Sequence, residues 1–315
     1  MENQTMITEF ILLGLSSNPE IQMILFFIFL IIYTITILGN VLIILIIRID
    51  HHLHTPMFFL LSHLAFIDIC YSTVTVPKML TNYIASQKTI SLIGCIVQIF
   101  SIIDFACVDF SLLSVMAYDR YVAICNPLHY STIMRKQTCR QLVGGSWIMG
   151  FLDALINTLP LKHLRFCWMP SINHYTCELP VILSLSCSQT FNNYMLLIAT
   201  SIIFVFTPLF LIVLSYIYII SSIFHINSAK GRSKAFSTCS SHLSFFLKKY
   251  ILFIFTFHFA ITYIQVVFRY LKPNFKSPTD LEKVISIQYT VLTPMLNPII
   301  YSLKNKEIKI MSASK

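Results

Sequence analysis

Asp119 and Arg120 are adjacent where a long apolar run ends, in Met116-Ala117-Tyr118-Asp119-Arg120-Tyr121-Val122-Ala123-Ile124-Cys125. At a helix end a carboxylate can hold a neighbouring guanidinium by a charge-assisted hydrogen bond until a partner inserts, which is the chemistry of a switch. Asp68 and Asp109 fall inside apolar runs, where a carboxylate is costly and therefore marks a functional position. Packing of protonated, hydrogen-bonded acids is the alternative for both. The rest of the chain is poor in chemistry. No nucleophile and base arrangement stands out, and the nine cysteines show no CxxC spacing, which argues against structural zinc and thioredoxin-like redox chemistry. His51, His52 and His54 share a short segment without carboxylate or cysteine partners, so they read as a solvated flank suited to anionic headgroups rather than a metal site. Neither enzymatic activity nor a cofactor is expected.

The elements that position these residues are membrane helices. Of the 315 residues 56% are hydrophobic and 11% charged, where soluble domains carry about one-quarter charged residues. Apolar runs of about twenty residues suit a hydrocarbon core roughly 30 Å thick. They predict spans at 22–48, 57–82, 92–125, 140–160, 193–224, 235–271 and 283–303, giving an all-α bundle of seven transmembrane helices. Helices are required because lipid satisfies no backbone hydrogen bond. Residues 1–21 then form an extracellular amino terminus, 22–303 the bundle and 304–315 a cytoplasmic tail. The first apolar run begins near Ile21, too late and too extended for a cleavable signal.

The net charge of +9 sits in short clusters between apolar runs, not on one polar face. It therefore points to membrane lipid rather than nucleic acid as a partner. An outside amino terminus places Arg135-Lys136, Arg140, Lys230, Arg232 and Lys234 on the cytoplasmic side, which receives the larger share of cations. The same orientation exposes Asn3-Gln4-Thr5, an N-glycosylation sequon with Asn3 as acceptor. Cys167, Cys177 and Cys187 share one polar loop, which suits an oxidising compartment outside the cell.

Further segments follow in a fixed order. They are Gly39-Asn40, Leu53-His54-Thr55-Pro56-Met57, Asn126-Pro127-Leu128-His129-Tyr130, Ser215-Tyr216, Lys234-Ala235-Phe236-Ser237-Thr238-Cys239, and Pro294-Met295-Leu296-Asn297-Pro298-Ile299-Ile300-Tyr301. With the segment around Asp119 they resemble the olfactory receptor family of rhodopsin-like G-protein-coupled receptors, in its class II or tetrapod-type form. The resemblance implies a plasma-membrane receptor of sensory cilia whose ligand is a small volatile odorant. Its partner would be a heterotrimeric G protein of the stimulatory olfactory type, which raises cyclic AMP. It assigns the switch to Asp119, Arg120, Tyr121, Tyr216, Asn297, Pro298 and Tyr301. It also implies a polar core of Asp68, Asp109 and Asn297 that binds Na⁺ or acts in activation. Asp109 stands where the family usually has Glu.

By the same resemblance Cys95 pairs with Cys177, and Cys167 with Cys187. Spacing alone leaves all three pairings of four cysteines open. The odorant pocket is expected among the outer halves of spans 3, 5 and 6. Ile103, Ala106, Cys107 and Phe110 share one face of span 3 and Ile102 flanks it, while Thr200 and Phe204 are one turn apart on span 5. Plain helix packing is the competing role for each of them.

Span 6 departs from the family. Tyr270-Leu271-Lys272-Pro273 follows Ser241-His242-Leu243 after 26 residues, about twice the usual distance, and Lys248-Lys249 interrupts the apolar run. One physical solution is a crossing from Tyr250 to Arg269 with the lysines at the cytoplasmic boundary. The rival is a damaged reading frame whose product signals weakly. A transporter or channel using Asp68 and Asp109 is the alternative from another class, but the chain lacks halves related by repetition.

Overall fold

Breaks in the apolar runs become helix ends. Helix α1, Pro19–Ile49, starts after Asn18, whose side chain accepts a 2.9 Å hydrogen bond from the Glu20 amide. Pro19 stands at the first helical position, where a missing N–H costs nothing. Helix α2, Pro56–Ile84, likewise opens on proline, and α3, Leu92–Cys125, is capped by Ser91 through the Gly94 amide at 3.0 Å. A short α4, Tyr130–Ile133, precedes α5, Lys136–Thr158, which continues through a 3₁₀ turn to His163. After the short α6, Leu179–Leu185, come α7, Phe191–Ser201, and α8, Thr207–Phe224. The last helices are α9, Asp280–Ile287, and α10, Thr293–Lys304. This computed structural model describes residues 9–166, 171–224 and 280–304. The expected span 6, with Lys248, Lys249 and the Tyr250 to Arg269 crossing, lies outside the described residues.

Five of these helices, counting α7 and α8 as one, are long and apolar enough to cross a membrane among the described residues. The fourth begins at Lys136 and not at 140, because polar residues of the first turn still find helical backbone partners.

Two helices carry a wide π turn, Ile202–Phe206 between α7 and α8 and Gln288–Leu292 between α9 and α10. Each ends at a Thr-Pro pair, Thr207-Pro208 and Thr293-Pro294. Proline has no N–H and its ring crowds the preceding turn, so the helix widens there. The threonine hydroxyl then donates to a carbonyl five residues back, Thr207 to Ile202 at 3.4 Å and Thr293 to Gln288 at 3.0 Å.

The core of the bundle joins Leu60, Leu64 and Ile67 of α2 to Val108, Leu112 and Met116 of α3, Val143 of α5, and Ile212 and Ile219 of α8. Phe27, Leu42, Phe151 and Phe210 point outward and are more than half exposed. Outward apolar surface of that kind on long apolar helices suits contact with lipid. Gly39 lets α1 reach α10. A β-carbon there would lie 3.0 Å from the Pro298 side chain.

A small sheet, unexpected from the apolar windows, closes one end. Strand β1, Glu9–Leu12, pairs antiparallel with β2, Thr89–Ser91, and parallel with β3, Ser171–Ile172. Phe10 and Leu12 alternate inward onto Ile90, Ile172 and Cys177, while Ile11 and Leu13 face out.

Candidate functional site

At the end of the bundle away from the sheet, α3 delivers Asp119 and Arg120. Their closest atoms, Asp119 Oδ2 and Arg120 Nε, are 3.7 Å apart, so the contact is an ion pair and not the hydrogen bond expected from adjacency. The hydrogen bond to Asp119 comes from Tyr130, whose hydroxyl donates to Oδ1 at 2.8 Å. Burial, and then the Asp119 charge, push the Tyr130 phenol up, which keeps it a protonated donor. The Arg120 guanidinium also touches the Met57 sulfur. Tyr121 stacks obliquely on Tyr218 of α8, and Tyr216 is buried in the core beneath.

In the middle of the bundle the Asn297 amide donates to Asp68 Oδ2 at 2.6 Å, joining α10 to α2. Asn40 adds α1, donating to the Pro294 carbonyl at 3.1 Å. Pro298 is held against Gly39. Asp109 is partly buried on α3. No group of three His, Cys, Asp or Glu side chains suited to a metal occurs among the described residues. The Asn297 N–H on the Asp68 carboxylate makes this contact a clasp between α10 and α2.

The expected ligand residues separate into two environments. Cys107 and Phe110 are buried, Ile102 and Ala106 are half-buried, and Ile103 packs against the cluster beneath the sheet. Thr200 turns towards α5. It accepts from Asn157 Nδ2 at 2.9 Å, and that amide also donates to Asp153 at 2.8 Å. Phe204 sits in the π turn, half-buried. Asp104 faces α5 as well, since a β-carbon on Gly150 would lie 2.5 Å from its Oδ1.

At the sheet end a disulfide ties Cys95 at the start of α3 to Cys177. Cys187 is also disulfide-bonded, whereas Cys167, Asn3 and the side chain of Tyr301 lie outside the described residues. The loop held by Cys177 is seated on the last helices by a buried polar cluster that sequence reasoning missed. Glu178 accepts from the Tyr289 hydroxyl at 2.5 Å and from Ser286. The Tyr175 hydroxyl meets Ser286 at 2.7 Å and Thr290 at 2.9 Å, and Lys283 donates to Asn173 at 2.8 Å. Burial is the main cause that pushes the Tyr175 phenol up. Hydroxyls at 286, 289 and 290, spaced i, i+3 and i+4, were the available signal.

A family model described as olfactory receptor matches residues 29–313. The chain is 48% identical over 309 residues to olfactory receptor 8S1 of Homo sapiens, covering 98% of this chain and 81% of that one. It is 45% identical to olfactory receptor 8G50 of Mus musculus, covering 98% and 95%. It is 44% identical to the olfactory receptor-like protein OLF3 of Canis lupus familiaris, covering 98% and 93%.

Proposed function

The chain belongs to the olfactory receptor family, and from that premise we propose that a small volatile odorant, bound within its helix bundle, opens the Asp119–Arg120–Tyr130 latch to a heterotrimeric G protein. The protein is a multi-pass membrane receptor with the seven-helix architecture of its family. It catalyses no covalent step. In this reading the sheet end with β1 faces outward, the latch faces the cytoplasm, and the site of action is the plasma membrane of sensory cilia.

The observation that carries the mechanism is the 2.8 Å hydrogen bond from Tyr130 to Asp119, beside the 3.7 Å ion pair to Arg120. It holds the end of α3 to the following turn. A ligand shifts this equilibrium only by binding the open arrangement more tightly than the closed one. The odorant contacts fall to Ile102, Ile103, Ala106, Cys107 and Phe110 of α3, with Phe204 and, through its shared hydroxyl, Thr200. The Asp68–Asn297 clasp links those walls to the last helix, whose Asn297, Pro298 and Tyr301 complete the switch with Tyr121 and Tyr216.

The test is a screen of volatile ligands in cells expressing the receptor and the stimulatory olfactory G protein, with surface delivery measured in parallel. Odorant-dependent cyclic AMP without solute uptake is the expected result. Uptake or current carried by the receptor alone would instead support a transporter.

A further inference from the structure

A cleft of about 250 Å³ opens between the start of α2 and the start of α5. Its floor is apolar, made by Ile47, Leu53 and Phe59, and its rim carries His54, Lys136 and Arg140. No acidic residue lines it. Lys136 and Arg140 are exposed, stand one turn apart on the same face of α5, and take part in no ion pair among the described residues. Asp50, the acid nearest in sequence, spends its carboxylate on the His52 amide at 2.8 Å.

Both helices begin at this cleft without a side-chain cap, since neither Thr55 nor Arg135 hydrogen-bonds the first turn. The positive ends of two helix dipoles therefore add to the charge of the side chains. Thr55 and Ser62 supply hydroxyls between the basic rim and the apolar floor.

We propose that this cleft is a binding site for an anionic phospholipid of the cytoplasmic leaflet, its phosphate between Lys136, Arg140 and His54 and its acyl chain along Phe59 and Leu53. The leaflet assignment rests on the orientation given under Proposed function. A basic pocket between membrane helices on the cytoplasmic side has the chemistry that holds acidic headgroups. Charge alone would suit any anion, but Ile47, Leu53 and Phe59 line the same cleft as the basic side chains, and an apolar lining favours an anion that carries a chain.

The full-length receptor is reconstituted in nanodiscs of phosphatidylcholine containing a minority of spin-labelled phosphatidylserine, and the immobilised lipid fraction is measured. Nanodiscs expose both faces, so the outcome is independent of orientation and of odorant signalling. Lys136→Gln with Arg140→Gln is expected to weaken retention of phosphatidylserine by roughly tenfold or more. Spin-labelled phosphatidylcholine is expected to be unaffected, and Lys136→Arg with Arg140→Lys to retain phosphatidylserine. Equal retention of phosphatidylserine by the neutralised and parent receptors overturns the proposal. So does equal retention of phosphatidylcholine by the parent. Displacement of the labelled lipid by inorganic phosphate at moderate ionic strength would make the cleft a free-anion site and also overturn it.

Discussion

Single residues divide the latch into a part that was legible and a part that was not. Asp119 and Arg120 stood out because charges at the end of an apolar run are conspicuous. Tyr130 did not, because a phenol eleven residues away becomes a partner only once the chain turns back through the 3₁₀ segment Pro127–His129. A hydrogen bond to a charged group contributes about 1.5–3 kcal/mol. Tyr130→Phe should therefore loosen the closed form and raise ligand-independent cyclic AMP by roughly several-fold at equal surface expression. Unchanged or lowered basal signalling would show that this bond does not hold the latch. Thr200 gives the opposite lesson. Its type and position suited a ligand contact, but its hydroxyl also accepts from Asn157 of α5, and no periodicity argument reveals a partner on another helix.

Elements were legible where hydropathy is decisive and less so where three segments meet. The first three spans matched to within a few residues because lipid imposes both length and composition. The sheet was missed because four-, three- and two-residue strands carry little pattern, and its strands are far apart in sequence. The π turns had a visible cue in Thr207-Pro208 and Thr293-Pro294 that hydropathy windows ignore. Loss of the Cys95–Cys177 tie should cost about 2–5 kcal/mol. Cys95→Ser, Cys177→Ser and the double variant should thus show nearly equal drops in folded receptor at the cell surface, since both single changes remove one bond. Additive losses would argue against that tie as their shared cause. Gly39→Leu should lower the melting temperature of the purified receptor, because overpacking against Pro298 costs about 1–3 kcal/mol. Gly144→Leu, where an added β-carbon meets nothing within 4 Å, is the matched control. Equal melting temperatures for the two would mean that α1 and α10 do not touch at Gly39.

For the whole molecule, the two ends of the bundle are built by different physics. The sheet end is held by a disulfide, strand pairing and a buried set of hydroxyls around Glu178, which makes it a rigid cover. Among the described residues the opposite end has no disulfide or strand pairing and is joined by the Asp119–Arg120 ion pair, the Tyr130–Asp119 hydrogen bond and contacts such as Cys125 with Ser222 at 3.1 Å, so in the proposed reading it is the end that yields first. An odorant gripped under the cover would therefore act on the latch rather than the lid. The most direct measurement is nucleotide exchange on the purified stimulatory olfactory G protein, driven by the purified receptor with an activating odorant. The account predicts exchange that rises with odorant for the parent receptor and stays at the odorant-free level for Arg120→Ala at equal odorant binding. Odorant-driven exchange by Arg120→Ala at the parent rate would contradict it.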